Sequence, residues 1–258
     1  MTVVLVHGNP ETADLWDPLV AALADRGVTD LVRVSPPGFG APVPDGWTGH
    51  PNEYAMWLAG ELERLAAAGP VDLVGHDWGA GHVAGAVALR PDLVRTWAID
   101  CGGLLNPEYV WHDLAQVWQT DGAGEEAVAA MAAVGAEQRS ANYQANGIPA
   151  GIASAMAAGY DDTMGRCILA LYRGAVPPAL SNLADKLEVA LDTAPTWPRG
   201  LLIDATADPY VPTALVPAVA DRFGLATHPL AGAGHWWMVD PEILPLVSDR
   251  LVGFWAEP

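Results

Sequence analysis

Positive charge is scarce in this sequence: only 12 of its 258 residues are Lys or Arg, Lys186 is the one lysine, and the formal net charge is −19. With no basic cluster to meet a phosphate backbone or an anionic bilayer, nucleic acid and membrane surfaces are not expected partners, and the acidic excess reads as solubility. Cysteine is nearly absent. Cys101 and Cys167 both sit in apolar surroundings, which predicts buried free thiols instead of a disulfide. No His/Cys cluster with ligand spacing is visible, so no metal is expected. No apolar run reaches the roughly 20 residues of a membrane span, and the strand-like segment right after Met1 leaves no room for a basic leader, so the expected location is cytoplasmic. Internal repeats are missing too, and nothing in the composition fixes an oligomeric state.

What the chain does have is apolar mass, 51% of its residues, enough for a sizeable core. Short β-branched runs at Thr2 to Val6, Leu31 to Val34, Val71 to Val74 and Thr96 to Ile99 read as strands buried on both faces. Helical segments near Leu15 to Arg26, Asn52 to Ala68 and from the third strand to Leu89 separate them. The alternation lapses from Gly102 to Pro198, a stretch rich in Ala, Gly and Trp with helix-like periodicity. It resumes with a strand at Gly200 to Asp204, a helix from Thr213, a strand at Ala226 to Leu230 and a helix from Pro241 to Phe254. This order predicts an α/β fold with about six strands in a mostly parallel, doubly wound sheet. Residues 1–101 and 199–258 form its core domain, and 102–198 form an inserted helical cap over the carboxyl edge of the sheet, where ligands bind in open α/β folds.

The pentapeptide Gly75-His76-Asp77-Trp78-Gly79 follows the third strand and opens a small-residue helix. Small residues around a strand-to-helix turn allow a strained backbone that exposes the central side chain, and here that side chain is a carboxylate. A carboxylate nucleophile can displace a leaving group from saturated carbon to give an alkyl ester. Attack on a carbonyl would give an energetic anhydride, so the pattern points to carbon-oxygen or carbon-halogen cleavage. Asp208, in Asp204-Ala205-Thr206-Ala207-Asp208-Pro209-Tyr210, and His235, in Gly232-Ala233-Gly234-His235-Trp236-Trp237, lie just beyond the fifth and sixth predicted strands. Gly79-Ala80-Gly81 lacks the full dinucleotide fingerprint, so no cofactor is expected.

With the His7-Gly8-Asn9-Pro10 turn and the Pro37-Gly38-Phe39-Gly40 loop, these motifs make essentially the whole chain resemble the Asp-nucleophile branch of the α/β-hydrolase family, which contains epoxide hydrolases and haloalkane dehalogenases. The resemblance implies Asp77 as nucleophile, His235 as the base that activates water against the ester, and Asp208 as the acid that orients His235. It implies backbone N–H donors from Asn9 and Trp78 for the oxyanion. The amino-terminal strand pair of the family is missing.

Two leaving groups compete. An epoxide oxygen needs a proton donor, and Tyr172-Arg173 is similar to the cap Tyr-Arg motif that supplies one in the family. A second tyrosine is expected earlier in the cap, where Trp118 stands instead, leaving Tyr109 or Tyr143 as substitutes. A halide needs N–H donors, which Trp78, Asn9 and Trp118 offer. The substrate is expected to be a small, mainly apolar molecule contacted by Trp78, Trp118 and Tyr172, with epoxide hydrolysis ahead of dehalogenation and a catalytically silent binding protein as the reading from a different class. Tyr172 is also readable as a packing residue, since Ile168 lies one helical turn before it. His76 is expected to pack and hydrogen-bond, Asp100 to cap a strand end, and Trp236-Trp237 to wall the pocket or the base of its loop.

Overall fold

The computed structural model of the protein describes residues 2–257. Six parallel strands, β1 (Val3–Val6), β2 (Leu31–Val34), β3 (Val71–Gly75), β4 (Val94–Ile99), β5 (Arg199–Ala205) and β6 (Ala226–Leu230), form one sheet in the order β2-β1-β3-β4-β5-β6. The expected doubly wound α/β architecture is therefore the one observed. Side chains of β1 alternate between two separate cores, Val4 and Val6 on one face and Val3 and Leu5 on the other, as the period of two in a strand requires. β1 and β3 are buried throughout, whereas β2 and β6 at the edges are partly exposed.

One face is covered by α2 (Pro51–Leu65), α3 (Trp78–Leu89) and α10 (Val216–Phe223), the other by α1 (Asp17–Ala24) and α11 (Leu244–Ala256). The first and last of these start later than the sequence pattern suggests. Pro18 and Pro245 sit in their first turns, where a missing N–H costs nothing. A single turn of 3₁₀ helix at Ala13–Trp16 precedes α1.

Between β4 and β5 lie α4 (Asp113–Gln119), α5 (Ala123–Ala133), α6 (Gly135–Ala145), α7 (Ala150–Ala158), α8 (Asp162–Gly174) and α9 (Ala179–Thr193). The last of them lies within the span 102–198 expected to form the cap. It packs on α3, and its Ala184 and Leu187 belong to the core beside the sheet, because its apolar stripe continues that helical layer. A third apolar cluster, including Phe39, Tyr54, Trp78, Trp111, Trp118, Ile168 and Tyr172, joins α4 and α8 to the rest. Among the described residues no helix is long and apolar enough to cross a membrane, and both cysteines are free and buried.

The chain runs outward from β1 to β2 and then crosses back to β3, so the order reverses between β1 and β3, the kind of crevice where ligands bind in such sheets. Val6, Gly75 and Ile99 are paired across β1, β3 and β4, so the loops that follow them emerge level with one another. Close approach makes this possible: a methyl group on Gly79 would overlap the carbonyl groups of Val6 and His7. Gly79→Ala is therefore expected to destabilise the fold by about 1–3 kcal/mol through overpacking, read as a thermal midpoint several degrees lower. An unchanged midpoint would contradict this account of the β1/α3 contact.

Candidate active site

Asp77 stands between β3 and α3 with φ 53° and ψ −124°, a backbone conformation that side-chain-bearing residues rarely adopt. Its neighbours hold it there. The Asp77 N–H donates to Asp100 Oδ1 at 2.9 Å, and Asp77 Oδ1 accepts from the Asn9 N–H at 3.0 Å. Gly8 is required beside it, since a Cβ there would fall on the Asp77 carboxylate. His235 approaches from the loop after β6, with Nε2 3.8 Å from Asp77 Oδ2, and its Nδ1 donates to Asp208 Oδ2 at 2.8 Å. Asp208 Oδ1 is fixed in turn by the N–H groups of Tyr210 and Val211, and the loops after β5 and β6 are tied by a bond from the Ala207 N–H to the Ala233 carbonyl.

A cavity of about 170 Å³ opens above Asp77, and its walls include Asn9, Trp118, Tyr172 and His235. Tyr172 reaches it from α8. That helix is capped by the Asp161 carboxylate, which accepts from the Met164 N–H at 2.8 Å, and buries Met164, Ile168, Leu171 and Tyr172 on one stripe, while Arg173 pairs with Glu125 outside. The Asn9 amide and Trp118 Nε1 are buried in the cavity wall with no hydrogen-bond partner among the described residues. Buried polar atoms are seldom left unpaired, and the Asn9 side chain lies beside the Tyr172 hydroxyl, which it influences.

Residues 3–244 match the model of the alpha/beta hydrolase family. The chain belongs to that family. Over 94 residues the hydrolase is 35% identical to the 2-(acetamidomethylene)succinate hydrolase of Mesorhizobium japonicum, a match covering 36% of this chain and 33% of that relative, so it spans only a third of the relative's length. Among solved structures it resembles the haloalkane dehalogenase DbeA of Bradyrhizobium elkani, with a TM-score of 0.71, 19% identity and 99% and 91% of the two chains covered. It also resembles Cfl2 of Burkholderia cenocepacia, with a TM-score of 0.77, 19% identity and coverage of 98% and 87%. At such identities the likeness to the solved structures is one of fold.

Of the residues singled out in the sequence, the hydrolase brings Asn9, Asp77, Trp118, Tyr143, Tyr172, His235 and Trp236 to one cavity, with Asp208 behind His235. The Trp78 indole stands apart from that wall. It stacks on Trp111 at 5.5 Å and meets the Tyr172 ring edge-on at 5.4 Å, lining instead a separate cavity with His82. Tyr109 and Tyr143 have their hydroxyls committed to the carbonyls of Tyr210 and Pro10.

Glu11 was not evident from sequence. Fully buried, it accepts from the Gly8 N–H, from Trp236 Nε1 at 2.7 Å and from His76 Nε2 at 3.1 Å. His76 Nδ1 bonds Asp100 Oδ2 at 2.5 Å, which also accepts from Trp237 Nε1. Asp100 is thus more than a strand cap: with His76 and Glu11 it links the Asp77 turn to the Gly8-Asn9 turn through buried charge. Burial disfavours an imidazolium at His76, but the carboxylates of Asp100 and Glu11 prevail and raise its pKa well above the ordinary value. Burial likewise opposes the Glu11 carboxylate, yet the His76 charge holds it at about 2.

The electrostatics of the reacting groups follow from the same burial. Asp77 is raised to about 6, chiefly by desolvation, against the pull of His235. Desolvation would depress His235, but its bond to Asp208 and the charges of Asp208 and Asp77 raise it. The fold also gathers two groups of metal-ligating side chains that chain order conceals, Glu11 with His76 and His235, and Cys101 with Asp208 and His235. Their ring nitrogens are already largely spent: both of His76 and Nδ1 of His235 are in hydrogen bonds to carboxylates.

Proposed function

We propose that the chain is a cofactor-independent hydrolase that forms an ester on Asp77 and acts on small, uncharged, mainly apolar epoxides. The observation that carries this reading is the buried Tyr172 hydroxyl in the wall of the cavity that holds Asp77 and His235. In the first step an Asp77 oxygen attacks a ring carbon, the carbon-oxygen bond breaks, and the oxygen takes the Tyr172 proton. Esterification removes the Asp77 charge that favoured the imidazolium of His235. The ring is then more readily neutral, and Nε2 can take a proton from the water that attacks the ester carbonyl, with Asp208 steadying the charge that forms. The oxyanion would be met by the N–H of Asn9, which already bonds Asp77, and by that of Trp78 at the start of α3. In this reading the cap comprises α4 to α8, and two buried thiols suit a reducing cytoplasm.

The relative from Mesorhizobium japonicum is named for a dicarboxylate. No Lys or Arg lines this cavity, so two carboxylates would find no cationic partner, and that argues for a different substrate class here. A second reading, dehalogenation, is favoured by one specific observation: the unpartnered Asn9 amide and Trp118 N–H are suited to hold a halide.

Tyr172→Phe separates the two. It removes one hydroxyl and keeps the ring, and is expected to slow epoxide turnover by roughly 10²–10⁴, the worth of a positioned general acid, with feeble halide release from a bromoalkane in wild type. Ready halide release by wild type, suppressed by Asn9→Ala and untouched by Tyr172→Phe, would make the chain a dehalogenase instead.

A further inference from the structure

The cavity beside Trp78, of about 260 Å³, is lined from the first turns of α2 and α9 and is distinct from the one above Asp77. Its charge is unlike that of the rest of the chain. Lys186, the one lysine in a molecule of formal net charge −19, lines it, and no Asp or Glu does. Lys186 is exposed and makes no ion pair among the described residues, with only Asn52 Oδ1 at 3.4 Å to accept from its Nζ. The 15-residue helix α9 begins at this cavity. Its N-cap, Pro178, makes no side-chain bond and its first turn holds no acid, so the positive end of its dipole is uncompensated there. His50 caps α2 by accepting from the Asn52 N–H on Nδ1 at 3.2 Å, which leaves the proton of the neutral ring on Nε2, an atom without a partner among the described residues. His82 closes the cavity from the protein interior. It is 2% exposed, lies stacked on Tyr54 at 4.6 Å, and makes no hydrogen bond among the described residues. Burial lowers its pKa to about 3, so the ring is neutral and offers one N–H donor.

We propose that this cavity is a binding site for a small organic monocarboxylate, separate from the reaction at Asp77. The Lys186 ammonium and the start of α9 supply the positive potential, and the histidines supply N–H donors. An imidazole buried without a partner gains one when the anion enters, which is where the burial of His82 is offset. One full positive charge matches a monoanion, whereas a dianion would keep an unmatched charge in a partly buried place. Trp78, Leu180 and Leu183 give the cavity apolar wall as well, suited to a short hydrocarbon chain and poorly suited to a fully hydrated inorganic ion. The site does not depend on which bond Asp77 breaks.

Titration with sodium butyrate, followed by long-range ¹H–¹⁵N spectra of the histidine rings, tests this without any turnover. The His82 signals are expected to move saturably with butyrate and far less with butyramide, which has nearly the same shape and no charge. Lys186→Met changes an exposed side chain and is expected to melt as wild type does, while weakening butyrate binding about 10-fold or more, the scale of one hydrogen bond to a charged group. Inorganic phosphate is expected to bind less tightly than butyrate, having no apolar part to place against Trp78. A His82 signal that butyrate leaves unmoved, or a response confined to His235 in the Asp77 cavity, would overturn the proposal. Equal affinity for butyramide, tighter binding of phosphate, or unchanged butyrate affinity in a folded Lys186→Met would overturn it as well.

Discussion

Asp77→Ala is expected to lower turnover by at least about 10⁴-fold, the scale of losing a covalent nucleophile, and to leave the protein folded. The carboxylate lies at a turn facing the cavity, and its removal empties no core space. Alanine has the same Cβ that Asp77 already holds at this positive φ, and burial and the buried Glu11 charge both disfavour the carboxylate that is removed. The measurement is steady-state turnover beside a thermal melt, and a folded variant retaining a few per cent of wild-type activity would remove Asp77 from the mechanism. The same group sets an acid limit in the wild type. Its reactive form is the carboxylate and its pKa is raised to about 6, so ester formation should be lost as pH falls through about 6, well above the range of an ordinary aspartate.

His235→Gln is expected to stop the cycle half-way. The amide cannot take a proton from water, so hydrolysis of the ester should fall by roughly 10³-fold or more while alkylation of Asp77 persists. Because Asp77 is held by Asn9 and Asp100 independently of His235, its position should survive the change. Intact-mass analysis after exposure to epoxide should give protein heavier by one substrate, with the addition mapping to the peptide that contains Asp77. Continued multiple turnover without an adduct would deny His235 its role in the second step.

Much of this was legible in the sequence, for identifiable reasons. All six strands fall within two residues of their predicted bounds, because each is a short apolar run stopped by turn residues. Asp77, Asp208 and His235 were readable because each follows a strand end, and parallel strands bring their carboxyl ends to one edge. The 2.8 Å bond from His235 goes to Asp208, the acid chosen from the sequence, while Asp100 bonds His76 and the Asp77 N–H. Helix starts at Asp17 and Leu244 were hidden by 3₁₀ turns and prolines, and the packing of α9 on α3 depends on a tertiary neighbour. Glu11 and His82 carried no signal: a lone acid in a turn and a lone histidine within a helix gain meaning only when the surroundings of each are known. Trp78 was singled out through the resemblance alone; its indole packs on Trp111, His82 and Tyr172, contacts that only the fold reveals.

The covalent route itself is open to one direct measurement, a single turnover with enzyme in excess over 1,2-epoxybutane in water enriched in ¹⁸O. If the ester forms on Asp77 and water attacks its carbonyl carbon, the diol takes its new oxygen from the Asp77 carboxylate. The heavy oxygen should then appear in the Asp77 peptide, with an unlabelled product. A labelled diol from the first turnover, with an unlabelled Asp77 peptide, would mean that water attacks the substrate directly and that no aspartyl ester lies on the path.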